Sequence, residues 1–134
     1  METVFDRPLD KLTDSLNGKI ENVYTYYMTQ YCTPFYVSNS AQGTLTFTFS
    51  NFTENEGMNV MLFTRYAAYL IHLTINSSTK IESAPVVTLY GTERTATISS
   101  DGKSFSITIG TWASAWGFVV HPWYPNLTFT TSKS

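Results

Sequence analysis

The sequence predicts an all-β protein, an antiparallel β-sandwich or jelly roll, with a short N-terminal α-helix in front of it. Beyond residue 23, apolar residues alternate with Thr and Ser over several short segments, whereas before it they recur at steps of three and four. The density of charged residues falls at about the same place, since eight of the eighteen charged side chains lie in the first 21 residues. We therefore divide the chain into a lead, residues 1–23, and a body, residues 24–134.

The lead has the pattern of an amphipathic helix. Its apolar residues fall on one side of a helix. They are Phe5, Leu9, Leu12, Leu16, Ile20 and Val23. Asp6 is suited to cap this helix and Pro8 to its first turn, while Asn17-Gly18 is a stop signal. Such an apolar face either docks on the body or pairs with copies of itself, and both alternatives remain open.

The body has the two-residue period of half-buried antiparallel strands. Alternation is strict over residues 44–49, 104–109 and 126–130. Asp101-Gly102 predicts a hairpin that leads into the second of these segments. Residues 58–64 and 69–75 fit strands covered on both faces, with a buried helix as the alternative, and residues 86–90 supply another short strand. We expect seven or eight strands, the usual number for a sandwich or jelly roll.

Composition argues against several classes of partner. A net charge of -2 and a pI near 5.5 disfavour binding to nucleic acid or anionic lipid. The most apolar segment, residues 60–75, contains Arg65 and is shorter than the roughly 20 residues of a membrane span. Cys32 is the only cysteine, which excludes an internal disulfide and favours folding in a reducing compartment. The N-terminus lacks the pattern of a secretory signal.

No residue pattern indicates catalysis or metal binding. The body's acids Glu54, Glu56 and Asp101 lie in predicted turns, where solvated carboxylates are ordinary. Neither His72 nor His121 has the surroundings of a catalytic base, and the two are not spaced as metal ligands. We predict a non-enzymatic protein without a cofactor.

Aromatic residues cluster among glycines and prolines near the C-terminus, where we expect loops and strand ends. Exposed rings of this kind stack on the apolar faces of pyranose sugars, and nearby polar groups bind the hydroxyls. The alternative is that these rings close one end of the core. The predicted ligand-binding residues are Trp112, Trp116, His121, Trp123, Tyr124 and Asn126.

A second aromatic cluster, residues 24–36, follows the lead directly. Buried tyrosines need partners for their hydroxyl groups, so a high density of them favours a subunit interface or groove, with core packing as the alternative. Together with the apolar side of the lead, this cluster predicts the surface of self-association. The predicted oligomerisation residues are Leu9, Leu12, Leu16, Ile20, Tyr24 and Tyr27.

A short helix with Leu9, Leu12 and Leu16, followed by Thr-rich strands such as residues 44–49 and 105–109, resembles the small trimeric receptor-binding and fibre proteins of tailed bacteriophages. The resemblance covers the whole chain and is one of layout and composition. It implies a homotrimer, attached to other virion proteins, whose β head binds a host-surface carbohydrate. It also implies a virion location after assembly in the host cytoplasm. The alternative is a purely structural capsid or tail component without a ligand.

Overall fold

The computed structural model describes Asn17 and residues 31–51, 57–121 and 127–134. These residues are organised almost entirely as antiparallel β-strands. The predicted helix of the lead lies outside the described residues, apart from Asn17, whose side chain is exposed. The six predicted oligomerisation residues also lie outside them. Among the described residues, no helix is long and apolar enough to cross a membrane.

Ten strands occur in the described part of the chain, and they form two sheets. In chain order they are β1 (Cys32–Val37), β2 (Thr44–Phe49), β3 (Gly57–Thr64), β4 (Ala68–Ile75), β5 (Ile81–Ser83), β6 (Val86–Tyr90), β7 (Ala96–Ile98), β8 (Ser104–Thr108), β9 (Ala115–Val120) and β10 (Phe129–Lys133). The six-stranded sheet has the order β1-β9-β3-β4-β5, and β6 also pairs with β4. The four-stranded sheet has the order β10-β2-β8-β7.

The two sheets share one hydrophobic core. The six-stranded sheet contributes Val60 and Leu62, and the four-stranded sheet contributes Phe47 and Phe105, all fully buried. The rings of Phe47 and Phe105 stack with centroids 4.9 Å apart, and Phe35 of β1 meets Phe47 edge-on at the same distance. The first contact lies within the four-stranded sheet and the second joins the two sheets, and both arise because the inward side of each strand is apolar, as the two-residue period predicts.

The strictly alternating segments were predicted most accurately. The strand predicted at residues 44–49 is β2, and the segment 104–109 contains β8. Residues 58–64 and 69–75 form β3 and β4, so the alternative of a buried helix is wrong. The strand predicted over residues 126–130 begins later in the chain than predicted. It is β10, which starts at Phe129, and Phe129 pairs with Phe49.

Three strands have weak sequence signals and were not predicted. β1 contains Pro34, which is tolerated because β1 lies at the edge of its sheet. β9 contains Gly117 next to Trp116, a pair typical of a loop. β5 has only three residues. Pairing with longer neighbours makes these segments strands, and this information is not local in the sequence.

The predicted Asp-Gly hairpin is confirmed, since Ser99–Lys103 connects β7 to β8. Gly102 has a φ of 70°, a conformation that glycine adopts without strain. The Asp101 carboxylate accepts hydrogen bonds from the Ser99 hydroxyl at 2.6 Å and from the Lys103 backbone N–H at 3.0 Å. These bonds stabilise the charged form and lower the pKa of Asp101 below its ordinary value.

Candidate binding surface

The outward side of the six-stranded sheet carries two adjacent rows of apolar and aromatic side chains. One row is Pro34, Phe118, Met61, Leu70 and Val87, and the other is Tyr36, Trp116, Phe63, Ala68 and Tyr90. Residues directly opposite one another in paired strands point to the same side, so each row lies on one face. We call these ten residues the aromatic face. None of them carries a formal charge.

The second row contains the most exposed rings of this face. Tyr36 of β1 is opposite Trp116 of β9, which is in turn opposite Phe63 of β3. Tyr36 is 69% exposed, Trp116 41% and Tyr90 54%. Since neighbouring strands are about 4.8 Å apart, the row of five residues spans roughly 19 Å. That length would accommodate several sugar rings side by side.

Trp112 lies next to this row, in the loop between β8 and β9. Its backbone N–H donates to the Ser40 carbonyl at 2.6 Å, and Ser40 closely follows β1. Lys133 donates from Nζ to the Ala113 carbonyl at 2.7 Å, which fastens the same loop from β10. Trp112 has a φ of 58° and is 68% exposed. A bulky residue held in this strained conformation with its ring in solvent is typical of a functional position.

A fifth exposed ring, Tyr66, is in the turn between β3 and β4. Tyr66 is 72% exposed, and its backbone N–H donates to the Thr64 hydroxyl at 3.3 Å. The Arg65 guanidinium lies 5.4 Å from the centre of the Tyr66 ring, within the range of a cation–π contact. Thr64 pairs with Ala115, beside Trp116, so this turn is at the same end of the sheet as the other rings.

We call this group of rings the aromatic end. Its members are Tyr36, Tyr66, Tyr90, Trp112 and Trp116. Of these five, the sequence places only the two tryptophans in a predicted binding site, in a region expected to consist of loops and strand ends, and Trp116 is the second residue of β9. Tyr36 was assigned to the second aromatic cluster, and Tyr66 and Tyr90 were not singled out. Strand pairing aligns Tyr36, Trp116 and Tyr90, and the connections that carry Tyr66 and Trp112 lie at the same end of the sheet.

The other predicted ligand-binding residues do not join this group among the described residues. His121 follows β9 at the opposite end from Trp112, and its side chain is fully buried. A hydrogen bond of 2.8 Å connects His121 Nε2 to the Thr33 hydroxyl. Trp123, Tyr124 and Asn126 lie outside the described residues.

The remaining reactive side chains are held in ordinary structural contacts. His72 is exposed on β4, and its Nδ1 is 2.9 Å from Asn59 Oδ1. Burial raises the pKa of the Cys32 thiol, which keeps it protonated at neutral pH and therefore a weak nucleophile. In the part of the chain that the structure describes, no three His, Cys, Asp or Glu residues are grouped closely enough to hold a metal ion.

The aromatic end thus presents flat, uncharged rings to solvent at one end of the six-stranded sheet. Such rings bind by stacking and by removal of apolar surface from water. No protein-family model, curated protein or solved structure matches this chain. The functional inference therefore depends on the residues of this surface.

Proposed function

We propose that this chain is a non-enzymatic, bacteriophage-type receptor-binding or fibre protein whose aromatic end binds a carbohydrate on a host surface. The observation that carries the proposal is the exposure of the five rings at one end of one sheet. Rings exposed at a rigid position offer stacking surfaces for pyranose units with little loss of side-chain entropy. The wide row on β1, β9 and β3 favours a chain of sugars over a single one.

The finer features of the proposal follow from the layout of the chain. We propose that the two sheets form a jelly-roll β-sandwich and that the lead, residues 1–23, is a helix that joins three copies or attaches them to other virion proteins. Three weak sites on one rigid trimer would bind a repetitive host surface by avidity. Trp123, Tyr124 and Asn126, which lie outside the described residues, stay predicted contributors to the sugar site, whereas His121 is withdrawn from it because its side chain is fully buried.

Substitution of the exposed rings tests the sugar site. We expect Trp116→Ala and Tyr36→Ala each to weaken binding to a glycan array by about tenfold, because each removes one stacking surface. Trp112→Gly removes a third ring and also permits the local φ of 58°, so a loss of binding there is not explained by backbone strain. Thr48→Ala, on the outward side of the four-stranded sheet, is the matched control and should bind normally.

Thermal unfolding of each variant separates loss of contact from loss of fold. Unchanged glycan or cell-surface binding by a folded Trp116→Ala, Tyr36→Ala and Trp112→Gly triple variant would contradict the carbohydrate proposal. The same triple variant in the trimeric state would give the clearest result, since avidity amplifies small changes at each site.

The second candidate function is a purely structural capsid or tail component. The absence of formal charge from the aromatic face favours it, because Tyr and Trp are enriched and charges depleted in the centres of subunit interfaces. In that case light scattering should give a mass near three times 15.1 kDa, and Trp116 should be protected from hydroxyl-radical oxidation in the assembled state. If Trp116 is oxidised equally at concentrations where the protein is trimeric and where it is monomeric, the rings are not buried between subunits.

A further inference from the structure

A cleft lies where the chain crosses from the six-stranded to the four-stranded sheet. After β6 the chain leaves the first sheet, and residues 91–95 lead to β7 of the second. The cleft has a volume of about 820 Å³. It is lined by Val86, Val87, Thr88, Glu93, Arg94, Thr95 and Thr108. It therefore combines a crossover loop, the edge strand β6 and the end of β8.

Arg94 is the most unusual group in this cleft. Its side chain is partly buried, and its Nε is buried without a hydrogen-bond partner among the described residues. A buried N–H donor without an acceptor is unfavourable, and more so when the group is charged. Buried polar atoms in folded proteins are nearly always paired. Arg94 also lines the cleft, so a ligand bound there can supply the acceptor that this nitrogen lacks once it reaches the covered Nε edge.

The residues around Arg94 define the chemistry of that acceptor. A guanidinium binds a carboxylate with two parallel hydrogen bonds, and its Nε edge is one of the two geometries available. The cleft also offers the hydroxyls of Thr88, Thr95 and Thr108, which suit a ligand rich in hydroxyl groups. Val86 and Val87 supply a small apolar contact.

The charge of the cleft favours a carboxylate over a phosphate. Among the described residues that line it, Arg94 and Glu93 are the charged ones, and their formal charges cancel. A doubly charged phosphate would be repelled by Glu93 about twice as strongly as a singly charged carboxylate and would need more than one cation for a stable site. A sugar acid presents one carboxylate to Arg94 and leaves hydroxyls that donate to Glu93.

We infer that the Arg94 cleft is a binding site for a sugar carrying a carboxylate, such as a uronic acid. The site is separate from the aromatic end and does not depend on the proposed role of the rings. It adds a specificity that stacking cannot provide, because aromatic rings discriminate poorly between neutral and acidic sugars, whereas a guanidinium requires the anion.

The experiment is a titration of the full-length protein with glucuronate, followed by NMR at the Arg94 Nε–H and at the backbone amides of Thr95 and Thr108. We expect saturable shifts at these positions at millimolar ligand, and no saturation with glucose or with the methyl ester of glucuronate. Arg94→Lys keeps the positive charge but lacks Nε, and it should weaken binding by about tenfold or more. Thr48→Ala, which lies in neither proposed site, should bind glucuronate normally.

Three results would overturn the inference: no response to glucuronate, an equal response to its uncharged methyl ester, or tighter binding of inorganic phosphate. The comparison of glucuronate with its ester uses the unaltered protein, so it remains decisive if Arg94→Lys fails to fold. Loss of glycan binding in the ring variants with retention of glucuronate binding would show that the two sites act independently.

Discussion

The outward sides of the two sheets differ in chemistry although both sheets pack on the same core. The four-stranded sheet presents hydroxyl groups, from Thr44, Thr46, Thr48, Thr97, Ser104, Ser106, Thr108, Thr130 and Ser132. The six-stranded sheet presents the aromatic face. On the first, hydroxyls pair across strands, as Thr46 does with Ser106 and Ser104 with Thr48, each at 3.0 Å.

This difference favours the six-stranded sheet, rather than the four-stranded one, as the side that contacts another molecule. A hydroxyl-bearing side is satisfied by its own cross-strand hydrogen bonds and by water, so it needs no partner. The aromatic face carries no formal charge, and it gains free energy when a partner removes its rings, which are 41–69% exposed at Tyr36, Tyr90 and Trp116, from water. We therefore propose that a ligand or partner contacts the six-stranded sheet rather than the four-stranded one.

The largest expected effect comes from disturbing the six-stranded sheet at Gly117. Gly117 has a φ of 151°, and a Cβ there would collide with the Met61 carbonyl oxygen of the neighbouring strand. Gly117→Ala should lower the free energy of unfolding by more than about 3 kcal/mol, measured by urea denaturation, because β9 and β3 would have to separate.

Gly110 provides the matched control for this substitution. It has a φ of 96°, and a Cβ there would have no atom within 4 Å. Gly110→Ala therefore reports the backbone strain alone, about 1–2 kcal/mol. Equal destabilisation by the two substitutions would mean that the close approach of β9 to β3 does not stabilise the row of Tyr36, Trp116 and Phe63.

The smallest expected effect is a pH dependence in the hairpin of the four-stranded sheet. The pKa of Asp101 is lowered in the folded state, first by the Ser99 hydroxyl and next by the Lys103 N–H. The resulting stabilisation is present above the ordinary carboxyl pKa of about 3.9 and is lost as the pH falls through the lowered value. Asp101→Asn should remove the contribution of this carboxylate to the pH dependence of the free energy of unfolding.

A comparison of urea midpoints at neutral pH and below pH 4 measures that change. Because Asp101 is exposed, the difference between the native protein and Asp101→Asn should be small and should shrink further in high salt. A native protein and variant with the same acid dependence would show that the two hydrogen bonds to Asp101 do not contribute to stability. The aromatic face should be unaffected in either case.

Local patterns predicted the parts of the fold that depend on one strand and its turn. β2 and β8 alternate strictly, since each has one side in the core, and the Asp101-Gly102 pair marks the hairpin before β8. β1 and β9 were not predicted, because Pro34 and Gly117 weaken their strand patterns. Their pairing joins segments about 80 residues apart, and no local signal encodes such a distance.

The sequence by itself determined the all-β class of the body, the inward apolar sides of its regular strands and the lack of an obvious catalytic pattern. These properties follow from side-chain alternation and residue type. Only the tertiary structure decided that Tyr36 and Trp116 lie side by side, that His121 is buried at the other end of β9, and that Arg94 faces a cleft with an unpaired Nε. Each of these depends on pairing or packing between distant segments, because burial and contact are properties of the whole fold.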